Sequence, residues 1–266
     1  KMGRLEIKDL HFSYTAGEEI LKGINLVLDG DSTAIIGQNG AGKTTFVKLL
    51  KGLLRPTSGK ILYDGKDLSE LTVAQIAQNI GMVFQNPNDQ IFKNKVIDEV
   101  MFGPMQVGMT KEQAKASAEE ALRLVGLSHL HNVNPYDLGL SDRKLVSIAS
   151  IVAMNPDVII FDEPTIAQDY AGKTNIGNIV KKLRNEGKLV LTIIHDMDFV
   201  AEYFDRAVVF AKGNVLLEGT PEVVFAEAEV LEKAYLEQPN VTQLCRALGQ
   251  EKVFLTTDAY VEYMRK

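Results

Sequence analysis

The stretch Gly37-Gln38-Asn39-Gly40-Ala41-Gly42-Lys43-Thr44-Thr45 decides how this chain is read. A glycine, four residues and then Gly-Lys-Thr is the Walker A spacing. Thr33-Ala34-Ile35-Ile36 before it reads as a short buried strand, and Phe46-Val47-Lys48-Leu49-Leu50 after it reads as a helix. That strand–loop–helix setting separates a phosphate site from a glycine-rich turn that matches by chance. The glycines let the backbone wrap closely, so successive N–H groups can face phosphate oxygens, and the following helix adds its positive N-terminal end. Lys43 is expected to reach the β- and γ-phosphates, and the Thr44 hydroxyl to hold Mg²⁺. The loop therefore predicts a site for a nucleoside triphosphate.

The bulk properties set limits around that site. With 266 residues, 45% hydrophobic and 24% charged, the chain reads as an ordinary soluble globular protein with material for one large domain or a domain with an appendage. No apolar run approaches the roughly 20 residues of a membrane span. No signal peptide is expected, Met2 being read as the natural start. The single Cys245 cannot form an internal disulfide, which fits a reducing compartment. A formal net charge of −6 argues against a nucleic-acid surface, so any membrane role must come through a protein partner.

Residues 5–10 alternate as a strand and residues 24–28 as another, with Tyr14 between them. Tyr14 alone is a half-buried strand aromatic. At this distance before a Walker A loop it becomes a candidate to stack on an adenine ring. Residues 60–63 and 80–84 read as strands, the second ending at Gln85, and residues 72–77 as a short helix. Helical spacing recurs over residues 111–125 and 142–153. Val158-Ile159-Ile160-Phe161 then runs into Asp162-Glu163, and Leu189-Val190-Leu191-Thr192-Ile193-Ile194 into His195. Continuous apolar runs with polar ends are how buried parallel strands deliver side chains to one edge of a sheet. Strands alternating with helices predict a mostly parallel α/β fold. From about Thr220 the pattern turns helical, with no cluster of site-like residues.

In this order, the motifs resemble the nucleotide-binding subunit of ABC transporters over residues 5 to about 225. The resemblance implies a P-loop NTPase ABC ATPase fold spanning residues 3–226. Its parts would be an N-terminal antiparallel β subdomain, a helical subdomain at about 86–153 and a small, mainly helical C-terminal appendage at 227–266. It implies Tyr14 as the adenine-stacking aromatic, Gln85 as the Q-loop glutamine beside Mg²⁺, and Asp162 as the Walker B aspartate. Glu163 would be the catalytic base, His195 the switch histidine and Ala167-Gln168-Asp169 the D-loop. Gln168 stands where the family commonly has leucine, and the sequence does not say what that does. The segment Phe84-Gln85-Asn86-Pro87-Asn88-Asp89-Gln90-Ile91-Phe92, with Gly219-Thr220-Pro221 and the tail, resembles the ATPases of energy-coupling factor (ECF) transporters, which import vitamins and metal ions. Asp98 and Glu99 follow on a short helix, where related membrane subunits present arginines. They are expected either to receive such a partner or to be a solvated acidic face.

The chemistry of the residues agrees with these roles. Asp162 can complete a Mg²⁺ shell with Thr44, Glu163 can accept a proton from an attacking water, and His195 can donate to the γ-phosphate. One motif is altered. The family carries Leu-Ser-Gly-Gly-Gln at a helix N-terminus, facing the ATP held by the opposite subunit. Here Pro135 to Leu138 and Val146 to Ala149 hold the register, so the signature reads Leu138-Gly139-Leu140-Ser141-Asp142. Gly139 removes a hydroxyl, Leu140 adds bulk, and Asp142 brings a carboxylate toward phosphates. Like charges about 5 Å apart cost on the order of 3 kcal/mol at an effective dielectric of 20.

The resulting expectation is an ATPase that uses MgATP and works as half of a heterodimer whose partner has an intact signature. It would be held at the cytoplasmic face of the cell membrane by a transmembrane coupling subunit and a substrate-binding membrane subunit. A soluble ABC ATPase and a regulatory ATP-binding subunit with little turnover are the alternatives. The first lacks its usual tandem cassettes or coiled-coil insertions here, and the second is kept open by the altered signature.

Overall fold

Alternating and continuous apolar runs build two different sheets, as their burial requirements dictate. The computed structural model describes residues 3–250 and 252–265. Strands β1 (Arg4–Ser13) and β2 (Glu19–Asp29) alternate in burial and pair antiparallel. β3 (Ser32–Ile36) is buried throughout and leads into helix α1 (Lys43–Leu50). β4 (Ser58–Tyr63) and β5 (Lys66–Asp67) return to the first sheet, which runs β2-β1-β4-β5. Helix α2 (Val73–Asn79), started by a Thr72–Gln75 capping box, precedes β6 (Ile80–Val83).

Three helices then pack on one another: α3 (Val96–Gln106), α4 (Lys111–Val125) and α5 (Leu140–Val152). The chain continues through β7 (Val158–Asp162), α6 (Tyr170–Asn185), β8 (Leu189–Ile193) and α7 (Met197–Tyr203). A hairpin of β9 (Arg206–Ala211) and β10 (Asn214–Gly219) follows. The second sheet runs β10-β9-β3-β8-β7-β6, parallel except for β10. The tail consists of α8 (Pro221–Ala226), α9 (Ala228–Lys233), α10 (Asn240–Ala247) and α11 (Thr257–Met264).

The pleat of the parallel strands divides the interior in two. Ala34, Ile36, Ile159, Phe161 and Val190 pack against the helices α3 to α6. Ile35, Val158, Ile160, Leu189, Leu191 and Ile193 pack against α1 and the antiparallel sheet. Successive side chains of a strand face opposite ways, so each buried strand serves both cores. In the tail, Leu231 and Ala234 of the α9 region join the first core, while Val241, Cys245 and Phe254 make a small cluster of their own.

The acidic pair expected to face a partner is split by the fold. Asp98 is exposed, but Glu99 is only 3% exposed, and its carboxylate accepts the N–H groups of Phe92 at 3.0 Å and Lys93 at 2.8 Å. Glu99 anchors the loop before α3 and is not a surface charge, because its place on the helix turns it inward beneath residues 92–93. Glu99→Ala is expected to lower unfolding stability by about 2–3 kcal/mol by removing a charged acceptor from two N–H groups. Asp98→Ala should stay within about 0.5 kcal/mol. Urea denaturation of the two variants checks the contrast.

Candidate functional site

The loop after β3 is forced into shape by its neighbours. Gly37 has φ +154°, and a Cβ there would lie 2.3 Å from the Phe210 carbonyl oxygen on β9. Gly42 caps α1 at φ +103°, with Leu21 Cδ2 2.7 Å from where a Cβ would stand. Both are positions that a side chain would strain or push aside. Between them Gln38, Asn39 and Gly40 are exposed, and Ala41 is pinned by N–H donation to the Gln38 carbonyl at 3.1 Å. Lys43 is 5% exposed and its ammonium donates to the carbonyls of Gly37 at 2.5 Å and Gln38 at 2.9 Å. Burial pulls its pKa below the ordinary lysine value, opposed by the charges of Glu163 and Asp162.

Thr44 is exposed at the start of α1 and Thr45 is buried. The Tyr14 hydroxyl lies 3.3 Å from Thr45 Oγ1, while its ring, 58% exposed, meets the edge of Phe12 at 4.8 Å. An aromatic face is thus presented to solvent beside the loop.

β7 delivers Asp162 at its last position, 8% exposed, paired in register with Ile193 of β8. Burial raises its pKa, the neighbouring Glu163 raises it further, and Lys144, Lys48 and Lys43 pull it back. Glu163 turns away from the strand at φ +47° while its N–H donates to the Ile193 carbonyl at 3.0 Å. Its carboxylate lies 2.9 Å from Nε2 of His195, which follows β8. A non-glycine residue held in the left-handed region is a strained position of the kind found at functional sites.

A cleft of about 660 Å³ joins Gly37, Gln38, Asn39 and His195 to Tyr235 and Glu237 of the tail. The tail is held there by Asn240, which donates to the Asp198 carboxylate through its N–H at 2.9 Å and through its side-chain amide. Residues 235–240 carry no motif, so this neighbour is not legible from the chain alone. Gln85 is exposed beyond the end of β6, and its carbonyl accepts the buried Lys144 ammonium.

The signature segment lies at the N-terminus of α5 and none of residues 138–142 lines the cleft. Gly139 and Leu140 are exposed, and Ser141 Oγ donates to Gln168 Oε1 at 2.6 Å. Gln168 therefore joins the loop after β7 to the start of α5. Beside it Ala167 has φ +59°, and Asp169 caps α6 by accepting the Gly172 N–H at 2.8 Å.

Among the described residues, no three His, Cys, Asp or Glu side chains form a metal cage. The chain nevertheless offers hard oxygen donors, the exposed Thr44 hydroxyl and the Asp162 carboxylate, and Gln85 follows β6, the strand beside β7, at the same sheet edge. Mg²⁺ suits one or two protein oxygens completed by phosphate and water. A divalent cation would also relieve the unfavourable burial of Asp162 next to Glu163.

Residues 21–166 match the ABC transporter family. The chain is 39% identical over 250 residues to the energy-coupling factor transporter ATP-binding protein EcfA of Methanocaldococcus jannaschii, covering 93% of this chain and 90% of that one. It is similar to the structure of cbiO1 from Clostridium perfringens, described as part of the ABC transporter complex cbiONQ. There the TM-score is 0.79 and the identity 34%, over 91% of this chain and 98% of that one. A dimeric ATP-binding cassette in a post-hydrolysis state with ADP and Pi also aligns, with TM-score 0.74 and 27% identity over 82% of this chain and 98% of that one.

Lys43→Ala is expected to weaken ATP binding tenfold or more, since a charge-assisted phosphate contact contributes roughly 1.5–3 kcal/mol. Calorimetric titration with ATP checks this, and an unchanged affinity would remove Lys43 from the site.

Proposed function

This chain belongs to the ABC transporter family and is an ATPase, and we propose that it powers an ECF-type importer of vitamins or metal ions as one half of an ATPase heterodimer. The observation that carries the proposal is an unequal endowment within one chain. The Walker loop, Asp162, Glu163 and His195 are complete and converge on one sheet edge, whereas the segment Leu138–Asp142 lacks the family's serine and paired glycines.

In this reading, the adenine ring stacks on Tyr14, and the backbone from Gly37 to Thr45, with Gln38, Asn39, Gly40, Ala41 and Gly42 between, cradles the phosphates. Lys43 leaves the carbonyls of Gly37 and Gln38 for phosphate oxygens. Thr44, Asp162 and Gln85 would hold Mg²⁺, which would supply charge neutralisation on the phosphates. Glu163 accepts a proton from the attacking water, and His195, now bonded to Glu163, donates instead to the γ-phosphate. The loop Ala167-Gln168-Asp169 lies at the face toward the second subunit. Closure of the two subunits on ATP and reopening after hydrolysis would drive the membrane partner.

The signature facing the partner's ATP is altered chemically more than sterically at its second position. A Cβ at Gly139 would meet nothing within 4 Å, so a serine would fit there. A homodimer would have two impaired sites, and a heterodimer would have one sound site formed by this chain's Walker motifs and the partner's signature. Among the described residues no helix is long and apolar enough to cross a membrane. Attachment to the membrane face is assigned in this reading to a transmembrane coupling subunit and a substrate-binding membrane subunit, and the relatives' names, a transporter ATP-binding protein and a part of a transporter complex, support a place among other subunits. The regulatory alternative, binding with little turnover, draws on the altered signature alone and applies to the site that this chain completes for its partner.

Glu163→Gln is expected to slow ATP hydrolysis by the assembled complex roughly a hundredfold or more, because it keeps the shape and removes the base. The purified chain alone should hydrolyse slowly. Hydrolysis by the isolated chain at the per-site rate of the complex would contradict the asymmetric assembly.

A further inference from the structure

Helix α5 carries a lysine that none of the roles above uses. Lys144 is 2% exposed, and its ammonium donates to the carbonyl of Phe84 at 2.8 Å and to that of Gln85. β6 ends at Val83, so these two carbonyls lie past the strand ladder and need another donor. The ammonium meets that need from a helix 60 residues further along the chain. The nearby charges that favour its ionised form are Asp162 and Glu163, which places it behind the acidic end of β7. A buried charge of this kind is retained only when hydrogen bonds and opposite charges compensate its desolvation.

Neighbouring contacts run the same way. Gln90 accepts the Phe84 N–H at 3.2 Å and donates to the Ser147 carbonyl at 3.0 Å and to Ser150 Oγ at 3.1 Å. Arg143 donates to Asn88 Oδ1 at 2.6 Å. Residues 84–90 are thus fastened to α5 by side chains, and Lys144 is the side chain that grips Gln85 itself.

We propose that Lys144 is a positioning residue that fixes the backbone of Gln85 against α5. The inference rests on the role proposed above for Gln85. One turn of helix separates Leu140, at the exposed N-terminus of α5, from Lys144, at the buried edge of this chain's own site. Of the contacts between α5 and residues 84–90, those of the Lys144 ammonium fall on the carbonyls of Phe84 and Gln85.

The test compares Lys144→Met, Lys144→Gln and Gln85→Ala in the full chain and in its complex with the partner subunits. Lys144→Met should leave ATP affinity by calorimetry within about twofold, because the Walker loop is untouched. It should lower kcat about tenfold and raise the Mg²⁺ concentration for half-maximal turnover, as Gln85→Ala should also do. Amide hydrogen exchange should accelerate about tenfold or more within residues 84–90 and stay unchanged in β3 and β8. Lys144→Gln keeps a donor and should fall between Lys144→Met and the unchanged protein, and it carries the same comparison should Lys144→Met not fold. Unchanged exchange at 84–90, or an acceleration spread evenly over the whole chain, would overturn the positioning role. Gln85→Ala without effect on the Mg²⁺ requirement would instead overturn the reading of Gln85, while localised exchange in Lys144→Met would still support the tether.

Discussion

A strand buried on both faces delivers charged chemistry at or beyond its last ladder position, and the site of this protein depends on that constraint. β3, β7 and β8 are buried at every residue and lie adjacent in one parallel sheet. Parallel pairing makes all three end at the same edge, with Ile35 on one side of Ile193 and Asp162 on the other. The glycine loop, the two carboxylates and His195 are brought together by register before any side chain contacts another. What remains for local strain is small but specific. Gly37 must pass under the Phe210 carbonyl, and Glu163 must leave its strand at a positive φ to meet His195.

The altered signature shows how folding and function part company on one helix. Asp142 sits in the first turn of α5, where a carboxylate is favoured by the helix dipole. Gly139 takes the N-cap position, at which glycine costs only a few tenths of a kcal/mol relative to serine. Arg143 adds donation to the carbonyls of Tyr136 and Leu138, both at 3.0 Å, which steadies the turn leading in. The helix itself loses little by these residues, and the penalty falls on any phosphate brought to its exposed end. That end is tied through Ser141 to Gln168 after β7 and through Lys144 to Gln85 after β6.

The legible parts of the sequence were those whose function is written in backbone geometry. The Walker spacing encodes a loop conformation, and an apolar run ending in acids or a histidine encodes a strand end, so Gly37–Thr45, Asp162, Glu163 and His195 could be placed from the chain alone. Residues whose meaning depends on tertiary partners could not. Glu99 reads as a surface acid until α3 turns it beneath residues 92–93. Lys144 reads as one more helix lysine until β6 stops one residue short of Phe84. Gln168 had no evident role because its partner Ser141 is 27 residues away. The strand Arg206–Ala211 is a short apolar run with no motif at its end, and nothing local distinguishes it from a buried turn of helix. The tail's approach to the Gly37–Asn39 loop rests on long-range contacts such as that of Asn240 with Asp198 across 42 residues.

The central claim is that this chain binds ATP through its own loop but completes a second copy's site only poorly. The direct measurement is sedimentation of the isolated chain with Mg²⁺ and a non-hydrolysable ATP analogue, alone and with its partner ATPase subunit. The account predicts that the nucleotide binds, that the isolated chain gains no nucleotide-dependent dimer, and that a one-to-one dimer forms when the partner is added. A tight nucleotide-dependent homodimer of this chain would contradict it.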